Sequence, residues 1–238
     1  MNNPLLRKLA NFTELSEEES QAVLDCCGDV REVGAREDVI TQGDRTGGVK
    51  LLLDGFACRY KTLEDGRRQI VAYFVPGDLC DLRVFILKRM DHSIGAIAPS
   101  RIATISPADI LRLTHTYPTL TRALWWSTLV EEAVLREWIV NVGQRPAPAR
   151  LAHVIVELRE RLKVIGRIEG NSFEMPLTQE QIGEALGITA VHANRVIKQL
   201  RQDGIVAFHR GRVEVLDDGK LLELAGFDGR YLHLSPAL

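Results

Sequence analysis

The spacing of apolar positions changes along the chain, and each change marks an expected element. Leu5 to Phe12 and Ser16 to Cys27 read as helices; Ser16 stands before a run of glutamates suited to a helix N-terminus, and Val23, Leu24 and Cys27 supply an apolar side. From Val33 the pattern shortens to strand-length runs punctuated by Gly34, Gly43, Gly55, Gly66 and Gly77, at intervals of 9, 12, 11 and 11 residues. The runs VKLLLDG, FACRYKTLEDG and RRQIVAYFVPG have strand-like composition, Glu64-Asp65-Gly66 suits a hairpin turn, and a further strand is expected from Ser100 to Ile105. Such spacing predicts an antiparallel barrel or jelly roll.

From Thr116 to Val142 glycine is absent, and a helix of about 27 residues, about 40 Å long, is predicted. Leu120, Leu124, Val134, Leu135, Trp138, Ile139 and Val142 cover more than one narrow stripe, and Trp125, Trp126 and Trp138 all lie here. A helix apolar on two sides touches two partners, which points to the β-domain and a second copy of the chain. Gln144-Arg145-Pro146-Ala147-Pro148 then breaks the helix, since each proline removes a donor and restricts its predecessor. Beyond it, Leu151, Val154, Ile155, Leu158 and Leu162 give another helix one apolar face.

Leu177 to Gly204 reads as two short helices joined by a tight turn. Thr178 and Gln181 have capping-box spacing, Ile182, Ala185 and Leu186 form an apolar stripe, and Gly187 suits a left-handed helix end. Thr189 caps the second helix, whose buried face is Ala193, Val196, Ile197 and Leu200, with Gly204 ending it. Its opposite face carries Val191, Arg195, Lys198 and Gln202, flanked by His192, Asn194 and Gln199. Ile205 to Leu216 reads as two strands around a His-Arg-Gly-Arg turn. The order is that of a winged helix-turn-helix.

Charge sharpens the picture. The 238-residue chain has a net charge of −2, so affinity for a polyanion must be local. Between Thr189 and Val213 there are five cations (Arg195, Lys198, Arg201, Arg210, Arg212) against one acid, Asp203. Phosphate contact needs such a surplus. No apolar run reaches the roughly 18 to 20 residues of a membrane span and the N-terminus lacks a signal pattern, so a cytoplasmic protein is expected. Cys26, Cys27, Cys58 and Cys80 show no CxxC spacing and are expected to be buried thiols. No GxSxG, P-loop, HExxH or paired-metal spacing suggests an enzyme.

A glycine-punctuated β-domain, a long helix, a proline-marked hinge and a winged helix-turn-helix, with PLTQEQIGEALGITAVHANRVIKQLRQDGIV and GQRPAPARLAHVIVELRERL as the most specific stretches, resemble the Crp/Fnr superfamily of bacterial transcription regulators. The resemblance implies an α+β chain with a β-roll sensor domain like a cyclic-nucleotide-binding jelly roll (1–115), a dimerisation helix (116–143), a hinge (144–148) and a DNA-binding domain (149–238). It further implies a homodimer on an inverted repeat in double-stranded DNA, in contact with RNA polymerase. Arg195 matches the arginine that the family uses on DNA, whereas Val191 stands where better-known members have glutamate. His192, Asn194 and Arg195 are therefore the candidate base contacts, with Val191 against a thymine methyl. Lys198, Arg201, Arg210 and Arg212 are assigned to phosphate, and Thr189 completes the DNA-facing set.

The sensor is less explicit. Members that bind cyclic nucleotide have a glycine-glutamate pair followed about ten residues later by arginine and serine or threonine. Here Pro76-Gly77-Asp78-Leu79 occupies the first place and Asp91-His92-Ser93-Ile94 the second, without the arginine. A cyclic phosphate would lack its bidentate partner, so cyclic AMP control is not expected. Cys26-Cys27 does not reproduce the cysteine cluster of Fnr-like iron–sulfur sensors. His92, His115, Met90 and Cys80 have the chemistry of haem ligands, but ordinary packing roles are expected for them. The effector stays open between an unnamed small molecule, redox chemistry at a cysteine, and control by abundance. A cyclic-nucleotide module acting through protein partners is the alternative function.

Overall fold

The computed structural model describes residues 3–45, 47–82, 86–87 and 89–234. Helices α1 (Pro4–Leu9) and α2 (Glu17–Asp25) come first. The Ser16 hydroxyl accepts from Glu19 N and the Glu19 carboxylate accepts from Ser16 N, a reciprocal cap that fixes the start of α2. Strands β1 (Val30–Val33), β2 (Asp38–Ile40), β3 (Val49–Asp54), β4 (Ala57–Thr62), β5 (Arg68–Phe74), β6 (Ser93–Ala96) and β7 (Ser100–Ile105) follow. They pair antiparallel in two sheets, ordered β1-β7-β3 and β2-β6-β4-β5. Leu51, Ala57, Phe74, Ile94 and Ile102 are buried between them, giving the jelly-roll core that the glycine spacing predicts.

The four-stranded sheet is covered on both sides. Ala57 and Phe74 belong to the roll interior, whereas Cys58 and Tyr60 of β4 and Ile70 and Tyr73 of β5 join a second core with the C-terminal unit. A buried charge sits in the roll: Arg59 donates from Nε to His92 Nε2 at 3.2 Å and from Nη2 to the Cys80 carbonyl at 2.7 Å. Its Nη2 also lies 2.5 Å from Glu131 Oε1.

Residues 107–115, expected within the β-domain, form with Thr116 a helix of their own, α3 (Pro107–Thr116). The predicted long helix starts at Pro118 rather than Thr116, because a proline disfavours helical backbone in its predecessor and Tyr117 is extended, with φ −122° and ψ 93°. It runs as α4 (Pro118–Gln144). Leu120, Ala123, Leu124, Val130, Val134 and Trp138 are buried on its inner face. Arg145 and Pro146 are extended, and α5 (Ala147–Val164) begins at once, with Pro146 and Pro148 where a missing N–H costs no helical hydrogen bond.

Then come β8 (Ile168–Glu169), β9 (Ser172–Glu174), α6 (Gln179–Leu186), α7 (Ala190–Gln202), β10 (Val206–His209), β11 (Arg212–Val215), α8 (Asp218–Ala225) and a 3-10 turn (Gly229–Leu232). The last sheet is ordered β10-β11-β9-β8. Leu151, Val154, Ile155, Leu158 and Leu162 of α5 are all buried beneath the helix pair.

His153 of α5 is fully buried, and neither ring nitrogen has a hydrogen-bond partner although Glu137 Oε1 is 3.3 Å from Nε2. Burial, reinforced by the Arg145 charge and opposed by Glu137, pushes its pKa down from 6.5 to about 4. Between those values the unfolded chain binds more protons than the folded one, so stability falls as pH is lowered. Urea unfolding is expected to show a loss of order 1–3 kcal/mol from this group between about pH 6.5 and about pH 4. A His153→Leu variant whose acid loss matches the parent's would rule His153 out as its source.

Candidate nucleic-acid interface

The helix pair is built from local signals. Thr178 Oγ1 accepts from Gln181 N at 3.2 Å while the Gln181 side chain accepts from Thr178 N at 2.9 Å, so α6 starts at a full capping box. It ends at Gly187, whose φ of 67° and ψ of 35° suit a residue without a side chain. The turn then folds tightly onto α6: a Cβ at Gly183 would stand 2.7 Å from the Ile188 carbonyl oxygen and 3.3 Å from Ala190 N. Gly183→Ala is expected to cost about 1–3 kcal/mol by overpacking this turn, read as a lower Tm and weaker DNA binding. An unchanged Tm would show that the turn has room to yield.

Thr189 Oγ1 accepts from His192 N at 3.2 Å and caps α7. Ala193, Val196, Ile197 and Leu200 are buried against α5 and α6, as their spacing predicts. On the outer side Val191 is 64% exposed. His192, Arg195, Lys198 and Arg201 are also exposed, as is Thr189, and Asn194 is half-buried. Arg195, Lys198 and Arg201 form no ion pair with any described residue. Their charge is available to an external anion.

The hairpin adds one more such cation. Arg210 (φ 44°) and Gly211 (φ 82°) form a two-residue loop with positive φ at both positions, the requirement of a type I′ turn, and Arg210 is exposed. Arg212 differs. It lies 2.8 Å from Glu169 of β8, which already balances its charge, and 3.4 Å from Ser172 Oγ of β9. No local pattern marks this pairing, because the partner lies 43 residues away in a two-residue strand.

Behind α7, the inner helix α6 is docked on the roll. Tyr73 donates its hydroxyl hydrogen bond to the Gln181 carbonyl at 3.0 Å, and Arg68 Nε is 3.4 Å from Glu184 Oε2. Arg150 spans the link between α4 and α5, donating to the Arg145 and Leu186 carbonyls at 2.7 Å each. Tyr73, Arg68 and Arg150 therefore set how α7 is presented, and nothing in their local sequence marks them for it.

In the roll, the turn at Pro76-Gly77-Asp78-Leu79 is engaged within the protein. Asp78 is buried and lies 2.8 Å from Lys8 Nζ and 2.6 Å from Arg161 Nη2. Burial alone would raise its pKa, but the Lys8 and Arg161 charges hold it below the ordinary carboxylate value. At the second place Ser93 Oγ accepts from Gln42 N at 2.9 Å. His92 has its pKa lowered by burial and then by Arg59, consistent with a neutral ring whose Nδ1–H donates to Asp91 and whose Nε2 accepts from Arg59. Met90 and Cys80 are buried, while His115 is exposed at the end of α3. Cys26, Cys27, Cys58 and Cys80 are buried free thiols, and burial pushes Cys27 and Cys58 up to about 11. Among the described residues no group of three or more His, Cys, Asp or Glu is arranged to hold a metal ion, and no helix is long and apolar enough to cross a membrane.

Residues 149–224 match the Crp-like helix-turn-helix domain family, and residues 30–117 match the cyclic nucleotide-binding domain family. The chain is 28% identical over 214 residues to the transcriptional activator protein FnrL of Cereibacter sphaeroides, covering 88% of this chain and 86% of that protein. It is 28% identical over 189 residues to the nitrogen fixation regulation protein FixK of Bradyrhizobium diazoefficiens, covering 79% and 78% respectively. The solved structure of FixK2 from Bradyrhizobium japonicum has the same fold, with a TM-score of 0.74 at 23% identity, covering 82% of this chain and 96% of that one.

Proposed function

Given that the chain belongs to the Crp/Fnr superfamily of transcription regulators, with a cyclic nucleotide-binding domain and a Crp-like helix-turn-helix domain in one polypeptide, we propose that it pairs along α4 and reads an inverted repeat with two copies of α7. The observation that carries the DNA reading is the outer face of α7, where Arg195, Lys198 and Arg201 stand exposed and without ion-pair partners among the described residues. His192, Asn194 and Arg195 take base edges in the major groove and Val191 packs on a thymine methyl. Lys198, Arg201 and Arg210 take phosphate, which fixes register. Arg212 buttresses the wing.

The pairing rests on a second stripe. Arg122, Trp125, Leu129, Glu132, Arg136, Ile139 and Gly143 are all exposed and recur at alternating intervals of three and four residues along α4. That is the seam spacing of a two-stranded coiled coil. The face opposite is buried against its own roll, so one helix serves both contacts. In this reading 1–115 is the sensor, 116–143 the pairing element, 144–148 the hinge and 149–238 the DNA-binding unit. Contact with RNA polymerase at the bound promoter is part of the proposal, supported by the activator designation of FnrL. Cyclic AMP and a haem held by His92 are not, since Asp78 is held by Lys8 and Arg161, and His92 by Arg59 and Asp91; nor is an iron–sulfur cluster, since Cys26-Cys27 does not reproduce the cysteine cluster such a group needs.

The test is selection from random duplex DNA with purified protein at near-physiological salt. An inverted repeat with half-sites about one helical turn apart is expected. Recovered sequences without a motif would sink the proposal.

A further inference from the structure

The segment after α8 lies outside both family matches, which end at residues 117 and 224. Gly226 turns the chain out of α8 with a φ of 52°, and Asp228 caps the 3-10 turn by accepting from Arg230 N at 3.1 Å. The turn is laid across α4 and α5. Phe227 and Tyr231 pack on the buried His153 ring at centroid distances of 5.2 and 5.9 Å, and Leu232 is 1% exposed. The cavity beside Leu232, lined by Tyr73, Val130, Val134 and Arg161, holds only about 60 Å³, against the ~300–1,000 Å³ of ligand pockets. The chain's own side chains occupy this junction.

The polar side of the junction is continuous. Tyr231 Oη donates to Glu157 Oε2 at 2.9 Å, and Glu157 also accepts from Trp138 Nε1 of α4 at 3.1 Å and from Arg161 Nη1 at 3.2 Å. Arg161 Nη2 in turn donates to Asp78 at 2.6 Å and to the Tyr73 carbonyl at 2.9 Å, and Lys8 of α1 completes the set at Asp78. Glu157 and Asp78 are buried, so each depends on these partners for its charge. One connected group therefore joins α1, the roll, the long helix and the DNA-binding unit. The covalent link between α4 and α5 is only Arg145 and Pro146. So short a link shortens the reach of the unit without fixing its angle.

We propose that the 227–234 segment is a strap, with Tyr231 and Glu157 as positioning residues that hold the DNA-binding unit at a set angle to α4 and thereby set the half-site spacing that the dimer accepts. This rests on the inverted-repeat reading above. Touching no DNA, the strap acts on the distance between two α7 helices and leaves the chemistry of each unaltered. Its loss is felt only where two half-sites must be met at once.

The test compares the parent, Tyr231→Phe and a chain lacking residues 227–238, each with its mass in solution measured, on a single half-site, on the selected inverted repeat, and in selection from a library of half-site spacings. Both variants are expected to bind the half-site as the parent does. On the full site about tenfold or more should be lost without the strap, with a smaller loss for Tyr231→Phe, and the selected spacings should broaden. A parent that binds full and half sites alike would overturn the dimeric reading and the strap together. A parent that prefers the full site, with variants that keep its affinity and spacing, overturns the strap alone. Equal losses on half and full sites would also overturn it, because they would show the segment merely stabilising the DNA-binding unit.

Discussion

Replacing Leu129 and Ile139 together by glutamate is expected to leave a folded monomer whose affinity for the inverted repeat falls about 100- to 10,000-fold, while its affinity for one half-site is kept. Leu129 is 50% and Ile139 74% exposed, so neither supports the core of its own subunit, and surface changes of this kind cost about 0.5 kcal/mol or less. In a paired α4 the same positions lie on the seam. At each of the two positions a pair of like-charged carboxylates would then replace an apolar contact, and each would lose water on pairing. Without pairing, the second half-site is no longer presented at high effective concentration. Mass by light scattering and parallel titrations on full and half sites decide the matter. A double variant that remains dimeric would move the pairing surface off this stripe.

The second large effect is expected at Arg195. A bidentate arginine–base contact discriminates by about 1–3 kcal/mol, and a dimer makes it twice, so Arg195→Ala should cost about 2–6 kcal/mol on the selected site and relax the preference at one base pair in each half. Lys198→Ala should behave differently. If Lys198 meets phosphate in each copy of a dimer, as proposed, its loss weakens all sequences alike and lowers the slope of log affinity against log salt by about two. Thr189 caps the helix that carries both, so both side chains leave a helix whose start is fixed. Identical losses on every sequence for the two variants would show that Arg195 meets phosphate and that base reading lies with His192 and Asn194.

The exposure of Arg195 and Lys198 was legible in the sequence; that of Leu129 and Ile139 was not, since an apolar side chain on a two-sided helix has the same spacing whether its own subunit covers it or not. The stripe Ala193, Val196, Ile197 and Leu200 left only one side of α7 for solvent, and the caps at Thr178 and Thr189 and the left-handed Gly187 fixed the ends of both helices. The two-sided apolar character of α4 was equally plain. Periodicity missed α3 altogether, placing residues up to 115 in the β-domain, and began α4 two residues early, at Thr116 rather than at Pro118. It also missed β8, β9 and the strap, since strands of two or three residues and a four-residue turn carry no period.

What the sequence determined by itself was local: strand and helix lengths, caps, the turn glycines, the cationic face of α7 and the order of parts. Each of these follows from contacts within a few residues, where backbone conformation and side-chain spacing are enough. Only the tertiary structure decided that the outer face of β4 and β5 is covered by α6, that Arg212 is held by Glu169, and that Asp78 joins Lys8 and Arg161. The Arg161–Asp78 pair spans 83 residues and the Tyr231–Glu157 pair 74. An acid or a cation has the same local sequence signature whether it faces water or a buried partner. The difference appears only when packing removes the water, and the Asp78 charge is then held by Lys8 and Arg161, which distant parts of the chain supply.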